Sequence, residues 1–367
     1  MSSLLKDVYS PAFYESLGDG LETVVSGFDR QAFQAAIFSP AFAGMELKQR
    51  MTHTIEVIAG YLPADYGSAI NRLEALIDAL RAAGHREASF EYMFLPEFIE
   101  TRGIEHFERS LEAFEFVTQF TSCEFAVRPF IHRYGQAMLE RMLEWTRHPD
   151  EMVRRLASEG SRPRLPWAMA LPALQQDPSP LMPILDALKQ DPSETVRRSV
   201  ANNLNDVSKD NPQFVIERVR DWQGLGADTD ALLKHACRSL LKQGHPDALA
   251  LFGYDANGIE ISEFALDTPI VLFGEALQFR FNIENQTPAS KLVRLEYAVY
   301  HLKKNGSLAP KVFKISEREI AAGAVDTIRR HHRIKPITTR RYYAGEHRVS
   351  IIVNGRESDT IEFQLEL

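Results

Sequence analysis

Cysteine is scarce in this chain: 367 residues carry two, Cys123 and Cys237. Their spacing suits neither a metal site nor a disulfide framework, so they read as small buried hydrophobes of a protein kept in a reducing cytoplasm. Long apolar runs are also missing. No stretch reaches the roughly eighteen apolar residues of a membrane span. The N-terminus MSSLLKDVYSPAF has no basic segment followed by an apolar one, so the expectation is a chain neither secreted nor membrane-spanning. The eleven histidines show no metal-ligand spacing, and no metal or other cofactor is implied. Net positive charge is absent too. The formal balance of −8 argues at first sight against a nucleic-acid partner.

The distribution of charge changes that expectation. Residues 1–120 sum to −9, residues 121–250 to 0 and residues 251–367 to +1, so the acidity sits in the first third. Within 301–348 twelve Lys and Arg stand against four Asp and Glu, a local balance of +8. A polyanion responds to the local field, so this window can supply phosphate contacts on an acidic protein. A solvated face of a β domain fits the same composition.

With 44% hydrophobic and 25% charged residues the chain is globular and long enough for two domains. From about residue 20 to 250 the apolar spacing is helical, as in SAINRLEALIDALRAAG (68–84) and AMLERMLEWTRH (137–148), with short Pro/Gly breaks. HPDEMVRRLASEGSRP (148–163) resembles DPSETVRRSVANNLNDVSKDNP (191–212). Shifted by 43 residues, Pro149, Val153, Arg154 and Arg155 fall on Pro192, Val196, Arg197 and Arg198. That period is the signature of HEAT or armadillo-like repeats, stacked into a solenoid whose concave face is the default binding surface.

Near residue 255 the pattern becomes strand-like alternation, as in LQFRFNIEN (277–285), LVRLEYAVYHL (292–302) and HRVSIIVNG (347–355). Asn305-Gly306 and Asn354-Gly355 are two-residue hairpin signals. The fold expected is therefore mostly α. Residues 1–254 form a HEAT-like helical-repeat solenoid, and residues 255–367 a small antiparallel β-sandwich of immunoglobulin type.

Three blocks concentrate residues able to do chemistry. In VRRSVANNLNDV, Val196, Val200, Leu204 and Val207 form a stripe facing the solenoid core. Arg198, Asn202 and Asp206, at steps of four, form a second stripe of residue types that fit poorly in a helix. C-terminal fraying explains them as well as a site does. In RRLASEGSRPRLPWA (154–168), Arg155 and Glu159 are one turn apart, which alone reads as an exposed ion pair worth well under about 1 kcal/mol. Gly160 then ends the helix, and Arg162, Arg164 and Trp167 follow on a Pro-stiffened connection suited to phosphate and base or sugar contact. In TSCEFAVRPFI (121–131), Glu124 precedes Arg128 by one turn.

The blocks SCEFAVRPF, RRLASEGSRPRLPWA and RRSVANNLNDVSKDNP, with a β domain after them, resemble the HEAT-like repeat DNA glycosylases that excise alkylated bases. The resemblance is to the AlkC branch, which carries an Ig-like domain that the related AlkD branch lacks. It implies hydrolysis of the N-glycosidic bond of cationic N3-methylated bases, 3-methyladenine and 3-methylcytosine, in duplex DNA. It implies a bacterial cytoplasmic enzyme acting at the nucleoid, with water as its only co-reactant and no nucleobase pocket. Glu124, Glu159 and Asp206 match the family's active-site carboxylates, and Trp167 an aromatic lining the site.

The residue types suit that reaction. An N3-methylated base is already cationic and leaves readily, whereas the sugar develops oxocarbenium character that carboxylates stabilise. One acid also orients or deprotonates the water, a role assigned to Asp206, with Glu159 and Glu124 stabilising the cation. A cluster of acids repels DNA, so Arg155, Arg162, Arg164, Arg198 and Asn202 are expected to hold phosphates. Arg329, Arg330, Arg340 and Arg341 in the basic window are expected to form a second DNA clamp. The partner expected is double-stranded DNA with alkylated bases, with no membrane and no obligate protein partner. Two rivals remain open: a non-catalytic repeat scaffold that binds protein, and a silent binder of DNA structure.

Overall fold

A computed structural model describes residues 4–85, 90–337 and 340–367. Among the described residues sixteen α-helices precede nine β-strands. Helices start where side chains can cap them. Asp65 accepts from the Ser68 amide at 2.8 Å and opens the helix Tyr66–Ala82, and Asp150 accepts from Met152 at 2.7 Å and opens Glu151–Gly160. Among the described residues no helix is long and apolar enough to cross a membrane.

The 43-residue period is a structural repeat. Arg154 donates through Nη1 to the carbonyls of His148 and Pro149, at 2.9 and 2.8 Å. Arg197 does the same to Asp191 and Pro192, at 2.7 and 2.9 Å. Each arginine thus latches its helix to the turn before it. Arg154 also grips Asp191 through two bonds of 2.7 and 3.1 Å, tying one repeat to the next. Val196, Val200, Leu204 and Val207 are fully buried, as their spacing predicts. The helix Glu194–Val207 does not fray; its last turn is buried through Asn203, Asn205 and Asp206.

Gly160 has a different role from the expected one. It remains inside the helix, and Ser161 at φ −88° is the cap. A Cβ at Gly160 would lie 2.5 Å from Cγ2 of Val127 and 3.1 Å from Cε of Met142. Close approach to the helix Val127–Tyr134, and not a left-handed turn, is what demands glycine here.

The strands are β1 Ile259–Leu266, β2 Ile270–Leu272, β3 Ala276–Asn285, β4 Lys291–Leu302, β5 Leu308–Ile320, β6 Val325–Arg333, β7 Gly345–Val353, β8 Arg356–Glu357 and β9 Ile361–Glu366. They form one sheet in the order β1-β3-β6 and a second in the order β2-β9-β7-β4-β5, with β8 on β7. Phe279, Phe281, Leu295, Val299, Ile351 and Phe363 lie in the core between them. Val353 pairs with Arg356 across Asn354 and Gly355, at φ 47° and 81°, so Asn-Gly makes the two-residue hairpin its sequence signals. The sandwich is not wholly antiparallel: β2 runs parallel to β9. Two compact units result, 1–211 with 222–236, and 212–221 with 237–367.

Candidate active site

Helix stacking brings the three acids of the sequence blocks into one polar cluster, all within the first unit. Glu124 lies in the turn before the helix Val127–Tyr134, while Glu159 and Asp206 occupy the last turns of their helices. Arg162 joins two of them. Its Nη1 donates to Glu159 Oε1 at 2.6 Å and its Nε to Asp206 Oδ2 at 2.8 Å. Burial alone would lower the affinity of the Arg162 guanidinium for its proton, but Glu159 and Asp206 outweigh it and raise the pKa. Arg162 is therefore turned inward as a counter-charge and not out toward solvent.

Arg155 serves the third acid. Its Nη2 donates to Glu124 at 2.8 Å, and lies 3.8 Å from Glu159. The Arg155–Glu159 spacing that alone reads as an exposed pair is thus half-buried, with Glu159 only 5% exposed. Ser122 Oγ donates to Glu124 at 2.8 Å, Ser199 Oγ to Glu159 Oε2 at 2.6 Å, and Lys209 Nζ to Asp206 Oδ1 at 2.8 Å.

Ser199 and Lys209 escaped the sequence reading for a geometric reason. At about 100° per residue, Arg198 and Asp206 are roughly 80° apart on the helix, whereas Ser199 and Asp206 differ by only about 20°. The face that meets the neighbouring repeat is Ser199, Asn203 and Asp206, and Asn203 Nδ2 donates to the Ser158 carbonyl at 2.8 Å. Arg198 is exposed and lines a separate hollow with Glu194, Arg197, Ala201, Asp228 and His235. Asn202 meets His235 at 3.2 Å. The steps-of-four stripe does not act as one group.

The loop after Gly160 folds back on itself. The Leu171 amide and Gln175 Nε2 donate to the Pro163 carbonyl at 3.1 and 3.0 Å. Arg164 forms a two-bond pair with Asp210 at 2.7 and 2.6 Å on the exposed side, which raises the arginine's pKa and lowers the aspartate's. Trp167 holds φ at 66° and is 62% exposed, a strained presentation of a large ring to solvent. It borders a hollow of about 200 Å³ lined also by Lys48, Phe125, Glu97 and Glu100. Burial and the nearby Glu97 push the Glu100 carboxyl up to about 7. No motif marked these two acids, because their placement depends on another helix.

The basic window falls on the β unit. Arg329 pairs with Arg280 on the outer face of β6, while Arg330 pairs with Phe279 on the face that carries the core. Adjacent strand residues point to opposite faces, so the two arginines do not share a surface. Arg340 lies against the ring of Tyr342 and Arg341 against that of Tyr343, at 5.9 and 5.8 Å. Among the described residues no group of His, Cys, Asp or Glu is arranged to hold a metal ion.

Stacked helical repeats, acids buried against arginines beside an Arg- and Trp-bearing loop, and an Ig-like sandwich define a class: helical-repeat proteins with a carboxylate–arginine site and an Ig-like domain. Residues 50–239 match the family described as DNA alkylation repair enzyme, and residues 260–367 match the C-terminal Ig-like domain of the uncharacterised protein YhaZ. The chain belongs to the DNA alkylation repair enzyme family. It is 38% identical over 362 residues to the uncharacterized protein YhaZ of Bacillus subtilis (strain 168), covering 98% of this chain and 99% of that one. Its fold is that of the Pseudomonas fluorescens alkylpurine DNA glycosylase AlkC bound to DNA containing an abasic site analog. That match has a TM-score of 0.94 and 36% identity and covers 100% of both chains. The HEAT-like and Ig-like parts expected from the sequence are thus both present.

Proposed function

We propose that this protein is a monofunctional DNA glycosylase that hydrolyses the C1′–N bond of cationic N3-methylated bases, 3-methyladenine and 3-methylcytosine, in duplex DNA. The observation that carries the reading is the cluster in which Arg162 bridges Glu159 and Asp206 while Arg155 holds Glu124. As the C1′–N bond breaks, its electron pair passes to the base and cancels the methyl-induced charge. The sugar is left with oxocarbenium character, which Glu159 and Glu124 stabilise. A water oxygen bonds to C1′, and its proton passes to Asp206. The base leaves neutral and the sugar gains a hydroxyl.

Arginine pairing answers the problem of acids beside DNA. Every carboxylate of the cluster has a cationic partner within 2.8 Å, so no bare negative charge faces a phosphate. Arg164, Arg198 and Asn202 are the backbone contacts in this reading, and Trp167 lies against the lesion. The nucleobase needs no pocket of its own, since its own charge weakens the bond. The functional division follows: 1–254 binds and cuts, and 255–367 adds DNA contact through Arg329, Arg330, Arg340 and Arg341. Cys123 and Cys237 are free and buried, and burial pushes the Cys237 thiol up to about 12, as for an unreactive core residue.

The test is release of 3-methyladenine from methylated duplex DNA by wild type and Asp206→Asn. Wild type releases base, and the variant, folded by circular dichroism, is slower by about 10²-fold or more. Full activity in Asp206→Asn removes Asp206 from the water-activating role. No release by wild type defeats the enzyme, and duplex binding then separates a silent DNA binder from a protein scaffold.

A further inference from the structure

Arg128, one turn after Glu124 in its sequence block but given no role there, is among the largest fully buried side chains of the described residues. It sits in the first turn of the helix Val127–Tyr134 and reaches under the loop that carries Arg162, Arg164 and Trp167. Its Nη1 donates to the carbonyls of Gly160 at 2.9 Å and Arg162 at 2.8 Å, and its Nε donates to the carbonyl of Met169 at 2.6 Å. One guanidinium therefore pins both ends of the loop and the backbone of Arg162 between them. Its Nη2 is buried with no hydrogen-bond partner, and none of the ion pairs among the described residues includes Arg128.

A buried cation bonded only to carbonyls is costly, and an apolar side chain of similar size is often no less stable. Stability alone does not account for it; what the arginine adds is geometry and charge. Carbonyls at a helix C-terminus lack intrahelical donors and carry the negative end of the helix dipole, and Gly160 supplies such a carbonyl. The rigid five-donor fork of arginine suits three diverging acceptors, where the single ammonium of lysine does not. Burial and the neighbouring Arg162 lower its pKa to about 10, with Asp206, Glu124 and Glu159 pulling the other way. It stays charged at neutral pH and adds one more positive charge within the field of all three acids.

We propose that Arg128 is a positioning residue of the active site: it clamps the 160–169 loop so that Arg162 stands between Glu159 and Asp206. It acts through Arg162 and touches no reacting atom. The proposal rests on the glycosylase reading for its effect on rate but not for its effect on the loop.

The experiment compares the full chain with Arg128→Lys, which keeps the charge and loses the fork, and Arg128→Met, which loses both. Amide hydrogen exchange over 161–169 is expected to rise about tenfold or more in each, with little change in the helix Tyr66–Ala82. Single-turnover release of 3-methyladenine is expected to slow about tenfold or more, while duplex affinity stays within about threefold. The acid limb of the rate profile shifts to higher pH in Arg128→Met, because a nearby cation is gone, and returns in Arg128→Lys. A merely structural arginine would lower the melting temperature and leave that limb in place. Unchanged exchange in both variants overturns the clamp. Wild-type release rates and an unmoved acid limb overturn the link to catalysis. If Arg128→Met does not fold, Arg128→Lys decides through exchange and rate. A wild type that releases no base defeats the glycosylase reading, and exchange over 161–169 still decides the clamp.

Discussion

Glu159 shows how much one side chain depends on its neighbours. Its two oxygens are held by Arg162 and by Ser199, at 2.6 Å each, and removing one partner of such a buried pair leaves a charge stranded at a cost of about 3–5 kcal/mol. Arg162→Ala is therefore expected to damage folding as well as activity, which makes Asp206→Asn, with its conserved shape, the cleaner probe of chemistry. Gly160 gives a test free of charge. A methyl group there meets Val127 at 2.5 Å, so Gly160→Ala is expected to destabilise the helical unit by about 1–3 kcal/mol, read as a lower urea midpoint. An unchanged midpoint would show that Val127 yields at no cost. The acids themselves were legible in the sequence because they sit at helix ends beside arginines. Ser199, Lys209 and the loop contacts of Arg128 were not, because each acts on a residue of another turn or helix.

At the scale of the element, periodicity decides which side chains share a face. The valine stripe of Glu194–Val207 and the Asn-Gly hairpin at 354–355 follow from spacing within one segment, and both stand in the structure as read. Stripe assignment failed where steps of four drifted around the helix and joined Arg198 to Asp206. The same reasoning separates two neighbouring arginines of β6. Arg329→Glu, on the outer face, is expected to weaken duplex binding and lower its salt slope by about one while leaving stability unchanged. Arg330→Glu, on the core-bearing face, is expected to lower the melting temperature of the β unit. If both variants leave the affinity and salt slope for duplex DNA unchanged, β6 is no part of a clamp.

For the molecule as a whole, the β unit is the part expected to respond to mild acid. His301 and His332 lie in the sandwich, and burial followed by the charge of Arg340 pushes their pKa values down to about 3 and about 4. Both ring nitrogens of His301 are buried without a hydrogen-bond partner. A base whose folded pKa is depressed binds protons more readily when unfolded, so the stability of the β unit is lost as pH falls below the ordinary histidine value of 6.5. Melting of the full chain between about pH 7 and about pH 5 is expected to show the β transition moving to lower temperature. His301→Gln should flatten that dependence; a β transition that does not move would show that these imidazoles find water or a partner on protonation.

The sequence by itself determined the fold class, the 43-residue repeat, the strand alternation and the acids and arginines available for chemistry, because each is written in spacings of a few residues or in one repeat period. Only the tertiary structure decided that Arg162 faces inward, that Ser199 holds Glu159, that Gly160 is needed for Val127, and that Arg128 holds the loop from beneath. Those outcomes rest on partners tens of residues apart, such as Arg162 and Asp206, 44 residues apart. Helix packing, which no local pattern encodes, is what brings them together.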